Sequence, residues 1–181
     1  MVSEKNLVKG CQKGKAKFQR LLYEHYAPKM LGVCMRYFHS KDEAQDALQD
    51  GFVKVYTKIE NFRGQGSLEG WIRRIMVNTS LNLLRDNLKH AFHADVDDVK
   101  VQIADPSVDY DHFHVEDIMK LIQGLPKGYR IIFNMYEIDG YAHKEIAEEL
   151  KISVNTSKSQ LLKARRYLRR ELELLHKERH S

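Results

Sequence analysis

Residues 46–62, DALQDGFVKVYTKIENF, run into RGQGS at 63–67 and then LEGWIRRIMVNTSLNLLR at 68–85. On the first part Ala44, Leu48, Val55 and Ile59 recur at i, i+4, i+11 and i+15, one apolar stripe at helical period. Asp46, Gln49 and Asp50 fall at i, i+3 and i+4 and form a compact acid-amide patch on another face. Arg63-Gly64-Gln65-Gly66-Ser67 breaks the period, and its two glycines permit positive φ and close approach of another backbone. Ser67 is placed to cap a second helix, with Glu69 in the first turn where negative charge is favoured. That helix is expected to bury Leu68, Ile72, Ile75, Thr79 and Leu83, and to turn Arg74, Asn78 and Arg85 elsewhere. One helix presents acid and amide and the other presents cations and amide, so two different partners are expected.

Working toward the N-terminus, residues 3–14 read as a short helix around Leu7 and Val8 that fades at Gly10 and Gly14. Residues 15–39 repeat Phe18, Leu22 and Tyr26 at i+4, and Leu31, Cys34, Met35 and Phe38 continue the stripe. Pro28 marks a kink or a fresh helix start. Ser40-Lys41-Asp42-Glu43 supplies a turn and a cap.

Toward the C-terminus the pattern dissolves between Asn87 and Val115, a segment with six aspartates that reads as a flexible linker. Its four histidines, His90, His93, His112 and His114, lack the fixed helical support and acidic partners of a metal site, so no metal is assigned. Order returns at Glu116. Ile118, Leu121, Ile122 and Leu125 make a helix ending before Pro126, and Tyr129–Ile138 is another. Asp139-Gly140 turns the chain. Glu145–Leu150 is a short helix, Lys151-Ile152 a tight connection, and Ser153 opens a long final helix to about His176. This is helix-turn-helix geometry. On the final helix Leu161, Ala164, Leu168, Leu172 and Leu175 share the packing side. Ser159, Lys163, Arg166 and Arg170 lie opposite, with Thr156 beside them and Lys158 and Arg165 on the flanks. From Thr156 to Arg170 there are six basic residues and no acid, a face suited to DNA.

Composition narrows the class. The 181 residues are 43% hydrophobic, enough for one domain or two small ones, and the net charge is +5. That charge divides into +6 over residues 1–86, −4 over 87–115 and +3 over 116–181, two basic blocks with an acidic spacer that avoids a polyanion. No window approaches the roughly 18 apolar residues of a membrane span, and the start lacks the apolar core of a signal peptide. Cys11 and Cys34 have no metal or redox spacing and suit a reducing cytoplasm. The expected fold is all-α: a helical domain at 1–86, a flexible acidic linker at 87–115 and a helix-turn-helix domain at 116–181.

Taken together the chain resembles a sigma factor of bacterial RNA polymerase, of the small extracytoplasmic-function (ECF) group, over nearly its full length. The matching motifs are D-x-x-Q-D-x-F (Asp46, Gln49, Asp50, Phe52), N-F-R-G (Asn61 to Gly64) and W-I-x-x-I-x-x-N (Trp71 to Asn78), ending at Leu84-Arg85. Farther on come L-P-x-x-Y-R (Leu125 to Arg130), E-I-A-E-x-L (Glu145 to Leu150) and T-x-K-S-x-L-x-K-A-R (Thr156 to Arg165). The resemblance implies that Asp46, Gln49, Asp50 and Phe52 dock on the β′ clamp helices of core polymerase. It implies that Arg63, Gly64, Gln65, Gly66 and Ser67, with Trp71, Arg73, Arg74, Asn78 and Arg85, open and hold the minus-10 strand. Thr156, Lys158, Ser159, Leu162, Lys163, Arg165, Arg166 and Arg170 would read the minus-35 element. Further implied partners are the β flap and an anti-sigma factor, with no cofactor, no catalytic residue and no membrane insertion. The sequence departs from the family pattern at Ala142, where a capping Ser is usual, and at Asn155, Ser157 and Gln160, where Gly, Val and Arg are usual; Gln160 departs from the usual minus-35 contacts at one position.

Three rival readings are weaker. A helix-turn-helix regulator of another family leaves Asp46–Arg85 unassigned. A sigma-mimicking protein that binds an anti-sigma factor and no DNA should lack the basic recognition face and carry a receiver domain. A metal-dependent nuclease would need its histidines on rigid elements rather than in the linker.

Overall fold

A computed structural model describes residues 3–92 and 115–179. Its described residues form helices and turns without a strand, and the chain divides into two compact units at Leu84/Arg85.

In the first unit, α1 (Glu4–Gln12) is capped by Ser3, whose Oγ accepts the Asn6 N–H at 3.4 Å. Gly14 ends it at φ +65°. Gly10 has a separate role: a Cβ there would lie 2.1 Å from Cγ of Phe18, so only glycine lets α1 close on α2. Helix α2 (Ala16–Met35) runs through Pro28 as one helix rather than restarting there. Buried Tyr26, Ala27, Met30 and Val33 on both sides of the proline hold the turn that lost its hydrogen bond. Ser40 caps α3 (Lys41–Lys58) through the Asp42 N–H, 3.2 Å, and a 3-10 turn follows at Ile59–Asn61. The expected stripe of Ala44, Leu48, Val55 and Ile59 is buried throughout.

Helix α4 (Leu68–Ala91) comes close to α3 at Gly51, where a Cβ would lie 2.2 Å from Sδ of Met76. Its expected stripe needs correcting. Leu68, Ile72 and Thr79 are buried, but Ile75 is half-buried and Leu83 is 47% exposed. From Val77 onward the buried side turns to Val77, Ser80, Leu81 and Leu84, because crossing helices do not keep one straight stripe inward. Helix α4 also continues to Ala91, beyond the expected linker start at residue 87. The rest of that linker, residues 93–114 with His93, His112 and His114, lies outside the described residues. Cys11 and Cys34 are buried free thiols, and burial pushes Cys34 up to about 11. They are core residues rather than nucleophiles.

In the second unit, α5 (Val115–Gly124) leads through Leu125 and Pro126 into α6 (Lys127–Phe133). The helix expected over 129–138 begins two residues earlier and widens into a π turn at Asn134–Ile138, closed by the Asp139 N–H on the Asn134 carbonyl at 2.9 Å. Then come α7 (His143–Leu150) and α8 (Val154–Arg179). Leu125, Tyr129, Ala164 and Leu168 form the core, with Leu121, Phe133 and Tyr167 at its edge. Thus the L-P-x-x-Y-R motif is largely structural: Leu125, Tyr129 and Arg130 are all buried.

Candidate nucleic-acid and protein interfaces

Three surfaces emerge. On α3, Asp46, Gln49 and Asp50 are exposed on one face. Phe52 is not with them. It is 2% exposed and packs on Tyr23 (ring centroids 4.7 Å) and Tyr56 (6.0 Å), so its place in the D-x-x-Q-D-x-F motif is a core role. A cleft of about 550 Å³ opens beside the patch between α2 and α3, with Tyr23, Pro28, Leu31 and Leu48 inside and Gln45 and Gln49 at its edge. The sequence reading missed this cleft, because it forms only where two helices meet.

The second surface is the loop between the 3-10 turn and α4. Arg63 to Ser67 are exposed, and Gly64 and Gly66 have φ of +72° and +92°. Both glycines therefore sit where L side chains are strained. Phe62 and Trp71 pack on each other at the loop's two ends (5.4 Å), which pins its base. Ser67 Oγ accepts the Gly70 N–H at 3.1 Å, the expected cap. Arg74 and Arg85 are exposed on α4. Arg73 reaches back to Glu69 at 3.5 Å, and Glu69 also accepts from Lys29 at 2.8 Å. The Lys29 hydrogen bond is the main reason the Glu69 carboxyl is held below its usual range. Asn78 is half-buried, and its Oδ1 has no hydrogen-bond partner among the described residues.

The third surface is α8. Lys151 takes the left-handed conformation (φ +55°) between α7 and α8, where the Ile152 N–H bonds the Ala147 carbonyl at 3.1 Å. Ser153 Oγ then accepts the Thr156 N–H at 2.9 Å and caps α8. The α7 cap is half of a capping box: Glu145 accepts the Ala142 N–H at 2.8 Å, while Ala142 has no acceptor to return. Lys158, Ser159, Leu162, Arg165, Arg166 and Arg170 are exposed; Thr156 and Lys163 are half-buried. Arg165 and Arg170 are ion-paired. Arg165 meets Glu137 at 2.6 Å, and Arg170 meets Glu171 at 2.8 Å beneath Tyr167. Lys158 and Arg166 carry no ion pair among the described residues.

Ser157 and Gln160, two of the departures from the family pattern, are both buried against the neighbouring helices. Ser157 Oγ lies 2.9 Å from Nδ1 of His143, whose ring stacks on Tyr136 at 4.3 Å. Together these contacts lock α7 to α8. Burial, and then the charges of Lys158 and Arg165, hold the His143 pKa below its ordinary value. The unfolded chain therefore takes up this proton first, so the lock is complete above about pH 6.5 and weakens as pH falls through the lowered folded value. The melting temperature of the second unit should fall between pH 7.5 and 5, and His143→Gln should flatten that slope. Equal slopes in both proteins would remove His143 as its source.

Among the described residues no cluster of His, Cys, Asp or Glu could hold a metal, and no helix is long and apolar enough to cross a membrane.

Residues 22–89 match the family model of Sigma-70 region 2 and residues 116–168 that of Sigma-70, region 4. The RNA polymerase sigma-H factor of Pseudomonas aeruginosa is 29% identical over 186 residues, covering 97% of this chain and 96% of that protein. The ECF RNA polymerase sigma-E factor of Haemophilus influenzae is 27% identical over 191 residues, covering 96% and 97%. Among solved structures, CnrH in complex with the cytosolic domain of CnrY shares the fold at TM-score 0.51 and 17% identity, over 93% of this chain and 96% of that one. The sigma factor RpoE in complex with the anti-sigma factor NepR, from Bartonella quintana, does so at 0.52 and 21%, over 84% and 94%.

Proposed function

The chain belongs to the sigma-70 family as a sigma factor of the ECF group, and from that premise we propose how its three surfaces divide the work of promoter recognition. As a sigma factor it binds RNA polymerase core and directs promoter recognition and opening. The Asp46/Gln49/Asp50 patch docks on the β′ clamp helices, with the Tyr23–Leu31 cleft receiving an apolar side chain of the same partner. Exposed Val115 and Ile118 on α5 give the β flap an apolar seat. An anti-sigma factor occupies the free protein, as the RpoE–NepR complex does for its own sigma factor.

The Arg63–Ser67 loop captures a base from the opened minus-10 element. Extruding a base costs a few kcal/mol, offset by an enclosing pocket and by cations along the backbone. Arg74 and Arg85 lie on the helix that leaves the loop and hold that strand's phosphates. The observation that carries this reading is the pair of positive-φ glycines on a loop whose base is pinned by Phe62 and Trp71. Gly66→Ala should strain the loop by about 1–2 kcal/mol, lowering promoter opening roughly tenfold while core binding stays unchanged. Permanganate footprinting of the holoenzyme measures it. Wild-type opening by Gly66→Ala would remove the loop from this role.

On α8, reading and holding separate. Lys163, in the N-terminal half of the helix, meets base edges, whereas Arg166, one turn farther on, holds phosphate. Lys163→Ala should relax preference at one or two minus-35 positions by about 1–3 kcal/mol per lost contact. Arg166→Ala should weaken all sequences equally and lower the salt slope by about one unit. Arg166 is the better probe of phosphate contact than Arg170, because Arg170 is already paired with Glu171. Holoenzyme binding across minus-35 variants and salt concentrations tests both. A Lys163→Ala sequence profile identical to wild type would contradict base readout by that residue.

A further inference from the structure

The first 20 residues of the chain carry a charge pattern that none of the three surfaces uses. Lys5, Lys9, Lys13, Lys15, Lys17 and Arg20 stand in this stretch against a single acid, Glu4. Arg20 is paired with Glu24 at 2.7 Å, but the five lysines are exposed and have no ion pair among the described residues. The stretch spans α1, the turn after it and the start of α2, and one sign of charge runs through all three.

Three of the lysines line a concavity. Where α1 meets α2, a cleft of about 520 Å³ has Gly10 and the half-buried Phe18 ring as its floor, with Asn6, Lys9, Lys13 and Lys15 at its rim. Gly10 fixes that floor, since any side chain there would collide with Phe18. An aromatic floor with a cationic rim is the arrangement that holds single-stranded nucleic acid, where bases rest on rings and phosphates meet lysines.

The cleft is also tied to the strand-capturing loop. Nε2 of Gln12, in the last turn of α1, donates to the Ile59 carbonyl at 3.2 Å. Ile59 begins the 3-10 turn that runs directly into Phe62 and Arg63. Lys9 and Lys13 therefore stand on the helix that buttresses the base of the loop. We propose that the Lys9/Lys13/Lys15 cleft is a second single-strand site, which takes the phosphodiester backbone of the opened promoter strand beyond the base held by the Arg63–Ser67 loop. This inference rests on the loop's assignment to the minus-10 strand.

The test uses holoenzyme assembled from the full chain and core polymerase. It compares wild type with the Lys9→Gln/Lys13→Gln/Lys15→Gln variant on two fluorescent promoters, one with a pre-opened bubble and one an intact duplex ending upstream of the minus-10 element. Loss of three single-strand phosphate contacts should lower the bubble salt slope by about two units, with binding roughly tenfold weaker at 150 mM salt. Binding to the upstream duplex should not change. An unchanged bubble slope overturns the proposal. So does a variant that weakens both probes equally, which would mark a general electrostatic effect. ATP competing with the bubble only when the lysines are present supports a phosphate site. ATP binding that is lost in a variant with a wild-type bubble slope assigns the cleft to a free phosphorylated ligand and overturns it. Should the triple variant melt early, Lys13→Gln alone carries the test, with an expected slope change of about 0.7. Failure of the wild-type holoenzyme to bind the bubble would instead count against the loop assignment.

Discussion

Replacing Asp46 and Asp50 together with lysine should reduce binding to core polymerase by at least a hundredfold while leaving the fold intact. Both side chains are exposed on one face of α3, and the buried stripe of that helix is made by Ala44, Leu48 and Val55. Surface substitutions of this kind change stability by about 0.5 kcal/mol or less. Interface hot spots cost over about 1–2 kcal/mol each, and setting like charges against a complementary partner costs several more. Phe52→Ala is the informative contrast. It removes a ring packed between Tyr23 and Tyr56, so it should destabilise the first unit by about 3–5 kcal/mol and lose polymerase binding through unfolding. Thermal melts beside core-binding titrations separate the two. A charge-reversed variant that melts normally and binds core like wild type would remove the patch from the interface.

The second large effect lies in the second unit. Arg130 is 2% exposed, and its Nη1 donates to the Gln123 carbonyl at 2.9 Å, satisfying the C-terminal end of α5. Arg130→Ala would leave a cavity and an orphaned carbonyl, at about 2–4 kcal/mol. In a unit of this size that lowers the melting transition by roughly 10–25 °C. Minus-35 recognition should fail at physiological temperature while the α1–α4 unit keeps its own transition. Calorimetry of the full chain resolves the two. A single transition at the wild-type temperature would show that Arg130 does not hold α5 to α6.

The helices were legible wherever one local rule decided them. The α3 stripe follows from helical period alone, and Ser40, Ser67 and Ser153 cap where a hydroxyl precedes a helix. Both loop glycines take the positive φ that breaks in periodicity imply. What failed depended on position around the helix or on distant partners. Phe52 belonged to the patch by motif, yet it lies about 200° around the helix from Asp50 and faces inward. Leu83 continued a stripe that the crossing of helices had already rotated away. Gln160 stands where the family pattern has an arginine, and only its angle on α8 shows that it is buried. The Tyr23 cleft, the Gln12–Ile59 tie and the His143–Ser157 lock each join residues of different helices or turns, which no single helical period relates.

Transcription from a fragmented genomic library by core polymerase, with and without this protein, tests whether it is a sigma factor with two promoter-reading surfaces. New initiation sites should appear only with the protein and share a minus-35 and a minus-10 element at fixed spacing. The minus-35 preference should shift with Lys163→Ala, and opening should fall with Gly66→Ala. Binding of the protein to duplex DNA with no promoter-specific initiation by core polymerase would contradict it.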